Sequence, residues 1–142
     1  MAASLRNEDL IASARRRTMS LPTIQKATDH TTTKAKVLAV FPYPVKIWGF
    51  TGYVGDLFAT NGITGTNFKI GTSADDDAVV TAIADLTSTQ ASGTALTITP
   101  ITGLATNGYV LPAGTALLCT NTSSAGAGTI DLFMTYEVLD NE

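Results

Sequence analysis

Two long runs alternate between apolar and polar positions and set the reading of the whole chain. Residues 129–139 ("TIDLFMTYEVL") place Ile130, Leu132, Met134, Tyr136 and Val138 on one side of an extended strand. Residues 45–54 ("VKIWGFTGYV") alternate as well, with Val45, Ile47, Gly49, Thr51 and Tyr53 on one side and Lys46, Trp48, Phe50, Gly52 and Val54 on the other. Because apolar residues fall on both sides, this run predicts a strand with little solvent exposure. Shorter runs follow the same rule. Strands are predicted at residues 36–41, 68–70 and 94–101, and on both sides of the turn at Pro112-Ala113-Gly114. Between them lie turn signals: Pro42-Tyr43-Pro44, "TNGITGTN", Asn107-Gly108 and "TSSAGAG".

Seven or eight strands at short spacing predict an all-β fold, a β-sandwich or jelly roll of about eight antiparallel strands. The connections are too short for the crossover helices of a parallel sheet. One segment reads both ways. Val79, Ile83 and Leu86 recur at helical spacing and favour a short helix, while Val79, Thr81 and Ile83 also alternate as a strand.

Composition agrees. Charged residues make up 15% of the 142 and hydrophobic residues 44%, a balance that folds rather than staying disordered. The charge is unevenly placed. Residues 1–36 hold seven basic and three acidic residues, a surplus of +4; residues 37–142 hold two basic and nine acidic, a surplus of −7. The chain thus reads as a basic, extended N-terminal arm (1–35) on an acidic β-body (36–142) expected to fold without it. Asn7 is placed to cap a short helix through "EDLIASARRR", Pro22 stops it, and "TDHTTTK" reads as extended linker.

Candidate chemistry is sparse. Asp75, Asp76 and Asp77 stand in a row, but they lack the alternate spacing, the sixth-position Gly and the twelfth-position Glu of a calcium loop. Asp favours turns and caps, so no metal is expected there. Cys119 sits in an apolar run and reads as a small core residue; the single histidine, His30, is far from it in sequence. The sequence shows no zinc spacing, phosphate loop, nucleophile elbow or dinucleotide fingerprint, so no catalytic residue and no cofactor are expected. Trp48, Phe50 and Tyr53 have the chemistry to stack a base or sugar, but strand aromatics of this kind belong more often to a core. Three arginines beside an acidic body make a poor nucleic-acid binder. No run is long and apolar enough for a membrane span.

The stretches "FKIGTSADDDAVV" with the Ala/Thr-rich strand after it, "VLPAGTALL" and "AGTIDLFMTYEVL" resemble the small Thr/Ala/Gly-rich β-proteins of tailed-bacteriophage virions, especially the capsid decoration (cement) proteins. The resemblance covers residues 36–142. It implies a jelly-roll body, a homotrimer, and a site on the outside of the capsid. There the protein would clamp neighbouring copies of the major capsid protein after assembly in the host cytoplasm. The arm would then supply the capsid contacts, through Leu10, Ile11, Arg15, Arg16, Arg17, Met19, Leu21 and Ile24. The rival expectation is a head-fibre or tail adhesin that binds a host-surface glycan.

Overall fold

The two long alternating runs become adjacent central strands of one sheet. A computed structural model describes residues 15–25, 35–55, 68–83, 91–121 and 128–139. Strand β10 (Thr129–Val138) lies antiparallel to β4 (Val45–Val54) along its whole length. On the far side of β10 are β1 (Arg16–Ser20) and then β2 (Ile24–Gln25); on the far side of β4 is β8 (Tyr109–Leu111). The second sheet runs in the order β3 (Ala35–Ala39), β9 (Leu117–Asn121), β5 (Phe68–Gly71), β6 (Val80–Ile83) and β7 (Ile98–Pro100). All pairings are antiparallel.

The pairings nest. The first strands pair with the last (β1 and β2 with β10), β3 pairs with β9, β4 with β8, and β5 with β6. Successive strands cross between sheets except at β1–β2 and at β5–β6–β7. Nested pairing across two sheets is the wrapping of a jelly roll, so the expected fold class holds, with ten strands among the described residues.

Between the sheets, Ile130, Leu132 and Met134 of β10 and Val45, Ile47 and Val54 of β4 face Phe68, Ile70, Val80, Ile83, Leu117 and Cys119 of the other sheet, all fully or almost fully buried. Alternation continues unbroken along β10. Along β4 it does not. The register between the two slips at Thr135/Tyr136, where Trp48 is the extra residue of a β-bulge. Val45 and Ile47 point inward before the bulge, and Phe50, Gly52 and Val54 point inward after it. The expectation of a strand buried on both faces is thereby corrected. One extra residue moves the apolar set from one parity to the other, and the outer face keeps Lys46, Trp48, Thr51 and Tyr53.

Three further expectations change. Residues 80–83 form a strand, not a helix: Val80 and Ile83 fill the core from an extended backbone paired to β5 and β7. The run 94–101 is divided between the sheets. Val54 and Leu96 donate backbone N–H groups to Thr94 and Gly52 (2.8 and 2.9 Å), which ties its start to β4, while β7 pairs with β6. A single helical turn, α1 (Leu104–Asn107), buries Leu104 between Gly103 and Gly108, both at positive φ (82° and 69°) where a side chain would be strained.

The largest change concerns the arm. Residues 16–25 are part of the sandwich, since β1 and β2 pair with β10, and Leu21 donates its N–H to the Leu132 carbonyl at 2.9 Å between them. Leu21 and Ile24 belong to the core and Met19 packs against it. The boundary expected at residue 35 therefore cuts through the fold. The apolar residues looked too scattered to bury anything because β1 and β2 are short and lie on either side of Pro22, which leaves no long alternation to read.

Candidate functional site

The arginine triplet splits because a strand sends neighbouring side chains to opposite faces. Arg16 lies opposite Glu137 on the outer face of the first sheet. Its guanidinium carbon sits 3.8 Å from the centroid of the Trp48 ring. The bulge holds that ring over Glu137, whose Oε1 accepts a hydrogen bond from Trp48 Nε1 at 3.1 Å. Lys46, also opposite Glu137, brings its Nζ to 4.8 Å from the same ring. The result is a row across three strands, cation–carboxylate–cation, with an indole lying over it. Such a row holds strands in register more readily than it holds a ligand, because each polar group already has a partner.

Arg17 lies opposite Tyr136, on the other parity of β1. Arg15 and Arg17 line an open depression of about 360 Å³ together with Tyr43 and Val138. Tyr43 belongs to the β3–β4 connection and rests against Phe41 (ring centroids 6.0 Å), which in turn rests on Tyr136 (5.5 Å). Leu139 donates its N–H to the Pro44 carbonyl at 3.0 Å, fixing the end of β10 beside that connection. Three chain segments thus bring two cations, a phenol and an apolar floor to one end of the sandwich.

Of the arm residues singled out from sequence, Leu10 and Ile11 lie outside the described residues. Arg15, Arg16 and Arg17 are exposed, Met19 is half-buried, and Leu21 and Ile24 are buried. Leu21 and Ile24 are therefore core residues rather than contact residues: their side chains are spent inside the sandwich. Tyr43 and Val138, which complete the depression, carry no signal in the sequence that links them to the arginines; only the pairing of β1 with β10 does.

The three aspartates occupy the β5–β6 connection. Asp75 closes a tight turn, its carbonyl accepting from Thr72 N–H (2.8 Å) and Ala78 N–H (3.3 Å), while Asp75 N–H donates to Thr72 Oγ1 (3.3 Å). Asp75 Oδ1 accepts from Asp77 N–H (3.4 Å). Lys69 Nζ lies 3.6 Å from Asp76 and 4.0 Å from Asp77. One carboxylate oxygen from each aspartate falls within 4.8 Å of the others, so these are the described residues with ligand spacing for a cation. The turn bonds and the lysine account for the cluster as a loop. Cys119 is fully buried, and His30 lies outside the described residues.

On the outer face, Tyr53 and Phe133 meet edge to face (6.4 Å, 73°), while Phe50 is turned into the core. No helix among the described residues is long and apolar enough to cross a membrane.

No family model and no curated protein matches the sequence. Among solved structures, the chain is similar to one in the Cyanophage Pam1 capsid asymmetric unit, with 17% identity and a TM-score of 0.55. The match covers 87% of this chain and 85% of that one, so two chains of similar length share one sandwich architecture.

Proposed function

We propose that this chain is a structural, non-enzymatic protein of a bacteriophage virion, seated on the outside of the capsid, where it binds the major capsid protein and clamps neighbouring subunits. The observation that carries this reading is the shared architecture over nearly the whole of a similarly sized chain from a phage capsid asymmetric unit. It agrees with the sequence resemblance to decoration proteins, reached independently from residues 36–142. A cement protein runs no reaction. It needs a stable body and adhesive surfaces, and the sandwich supplies both. A homotrimer suits a shell with three-fold axes.

The glycan-adhesin reading needs free aromatic faces. The indole of Trp48 has Arg16 against it, which disfavours that reading at the one tryptophan. The test is a binding titration of the purified protein on phage particles that lack it. Saturation at an icosahedral copy number, with a raised threshold for heat disruption of the particles, is the expected result. Failure to bind, together with a hit on a glycan array, would favour the adhesin.

A further inference from the structure

We propose that the outward face of the first sheet is a self-association surface, on which a second copy of this chain stacks sheet on sheet about a two-fold axis. The inference goes beyond the virion reading and does not rest on it: two single chains, or two trimers, meet equally well through such a face.

Four strands build the face: β1, β10, β4 and β8. Its rows follow from the register. Arg16, Glu137, Lys46 and Val110 lie side by side across the strands, with Trp48 over Glu137. Thr18 and Thr135 form the next row, then Ser20, Phe133 and Thr51, then Asp131 and Tyr53. Tyr53 and Val110 are 48% and 51% exposed, and Thr18, Ser20 and Thr51 are exposed as well. Aromatic rings and an arginine are what the centre of a protein–protein interface favours. The polar groups already have partners within the face. Thr23 Oγ1 donates to Asp131 Oδ1 (2.7 Å), the Thr18 and Thr135 hydroxyls lie 3.4 Å apart, and Glu137 holds the indole N–H. Covering these groups with protein therefore strands few donors or acceptors.

Charge selects a second copy as the occupant. The whole chain carries −3, yet the outward charges of these strands, Arg16 and Lys46 against Glu137 and Asp131, cancel. Two like-charged chains approach with least repulsion where each surface is neutral. The face also complements itself. An axis along the strands, midway between β10 and β4, lays β10 of each copy over β4 of the other. Cross-strand partners within one copy then meet between copies: Glu137 with Lys46, Phe133 with Thr51, and Asp131 with the Tyr53 hydroxyl. Arg16 falls over Val110, whose methyl groups suit its methylenes. None of the four charges meets its like. Aligned stacking of two sheets is an ordinary packing of β-structure. Four strands about 4.8 Å apart, running about 25 Å from Lys46 to Tyr53, offer on the order of 500 Å² per copy. Two copies thus cover about 1,000 Å², enough for a specific interface.

The test is the mass of the purified full chain in solution, by light scattering over a concentration series. An even number of chains is expected, and iodide quenching of Trp48 should fall as the assembly forms. Thr51→Arg and Thr51→Glu each set like charges on either side of the axis. Each should raise the concentration needed for pairing by at least about tenfold, and a mixture of the two should restore it to within about threefold of wild type. Thr99→Arg, exposed on β7 of the second sheet, is the control and should pair like wild type. The thermal transition of each variant checks that it is folded. A wild type of one or three chains at the highest concentration reached would overturn the pairing, as would equal masses for wild type and both Thr51 variants. An unpaired wild type whose particle binding is lost in Thr51→Arg would give the face to the capsid protein and would also overturn it. If the chains pair as expected but ignore particles, the inference stands and the virion reading falls.

Discussion

Ile24 lies directly opposite Ile130 in the β2–β10 pairing, and both side chains are completely buried. One of them comes from the basic N-terminal segment and the other from the last strand, so the two ends of the chain close the sandwich together. In a jelly roll the outermost pair is made last in sequence, and the sheet it completes has no substitute strand. Without β1 and β2, the edge of β10 would be left open and Leu132 would lose a backbone hydrogen bond from Leu21.

Removal of residues 1–35 is therefore expected to abolish the cooperative thermal transition rather than leave an intact body. The milder variant Ile24→Ala should cost about 2–5 kcal/mol, since the cavity it leaves lies between packed strands. That corresponds to a fall in Tm of roughly 6–20 °C by calorimetry. An unchanged transition in the truncated chain would show that the first two strands only lean on the fold.

Gly71 permits the aspartate loop to fold back onto β5. A Cβ there would sit 2.7 Å from the Asp76 carbonyl carbon and 2.8 Å from the Ala78 nitrogen, both backbone atoms that cannot rotate away. Gly71→Ala should destabilise by about 1–3 kcal/mol through forced backbone movement. Gly49→Ala, where nothing lies within 4 Å of the added carbon, is the matched control and should change stability by less than about 1 kcal/mol. Denaturant unfolding of both variants checks the contrast.

Several elements were legible because their signal is local. The alternation along 129–139 gave the inward face of β10, and Pro and Gly marked the turns around β8 and β9. The failures came from information that is not local. Nothing near Trp48 announces a bulge, because the extra residue is defined only by the register with β10. Residues 80–83 fit two periods over so short a span that tertiary pairing decides. Leu21 and Ile24 could not be assigned to the core from their own surroundings, since their partners Leu132 and Ile130 lie more than a hundred residues away. The functional surface suffered the same way. Three adjacent arginines look like one patch until strand parity separates Arg16 from Arg15 and Arg17.

Asp76→Asn removes one of the two carboxylates near Lys69. The Asp76 side chain is exposed and that of Lys69 half-buried, so the pair is largely solvent-screened and the substitution should shift stability by less than about 1 kcal/mol. Chelator should leave Tm unchanged, because the turn is closed by backbone bonds and by Thr72. A rise in Tm on adding millimolar Ca²⁺, lost in Asp76→Asn, would instead assign the three aspartates to an ion.

Arg16 and Trp48 provide a spectroscopic test of the bulged region, because Trp48 is the single tryptophan of the chain. In the native protein the guanidinium lies against the ring and Glu137 accepts its N–H, which restricts both solvent access and ring motion. Arg16→Ala uncovers one face without touching the indole hydrogen bond. The expected cost is about 0.5–1 kcal/mol, the usual worth of a cation–π contact at an exposed site. Emission should move to longer wavelength and iodide quenching should rise. Glu137→Gln keeps a hydrogen-bond acceptor for Trp48 but removes the charge between Arg16 and Lys46, so it separates the two contributions. If the stacking is mainly ring–cation contact, this variant should change emission little while lowering stability slightly through repulsion between the two cations. If Arg16 is held chiefly by Glu137, the variant should release it and reproduce the Arg16→Ala spectrum. The geometry favours the first outcome, since the guanidinium is 3.8 Å from the ring centroid.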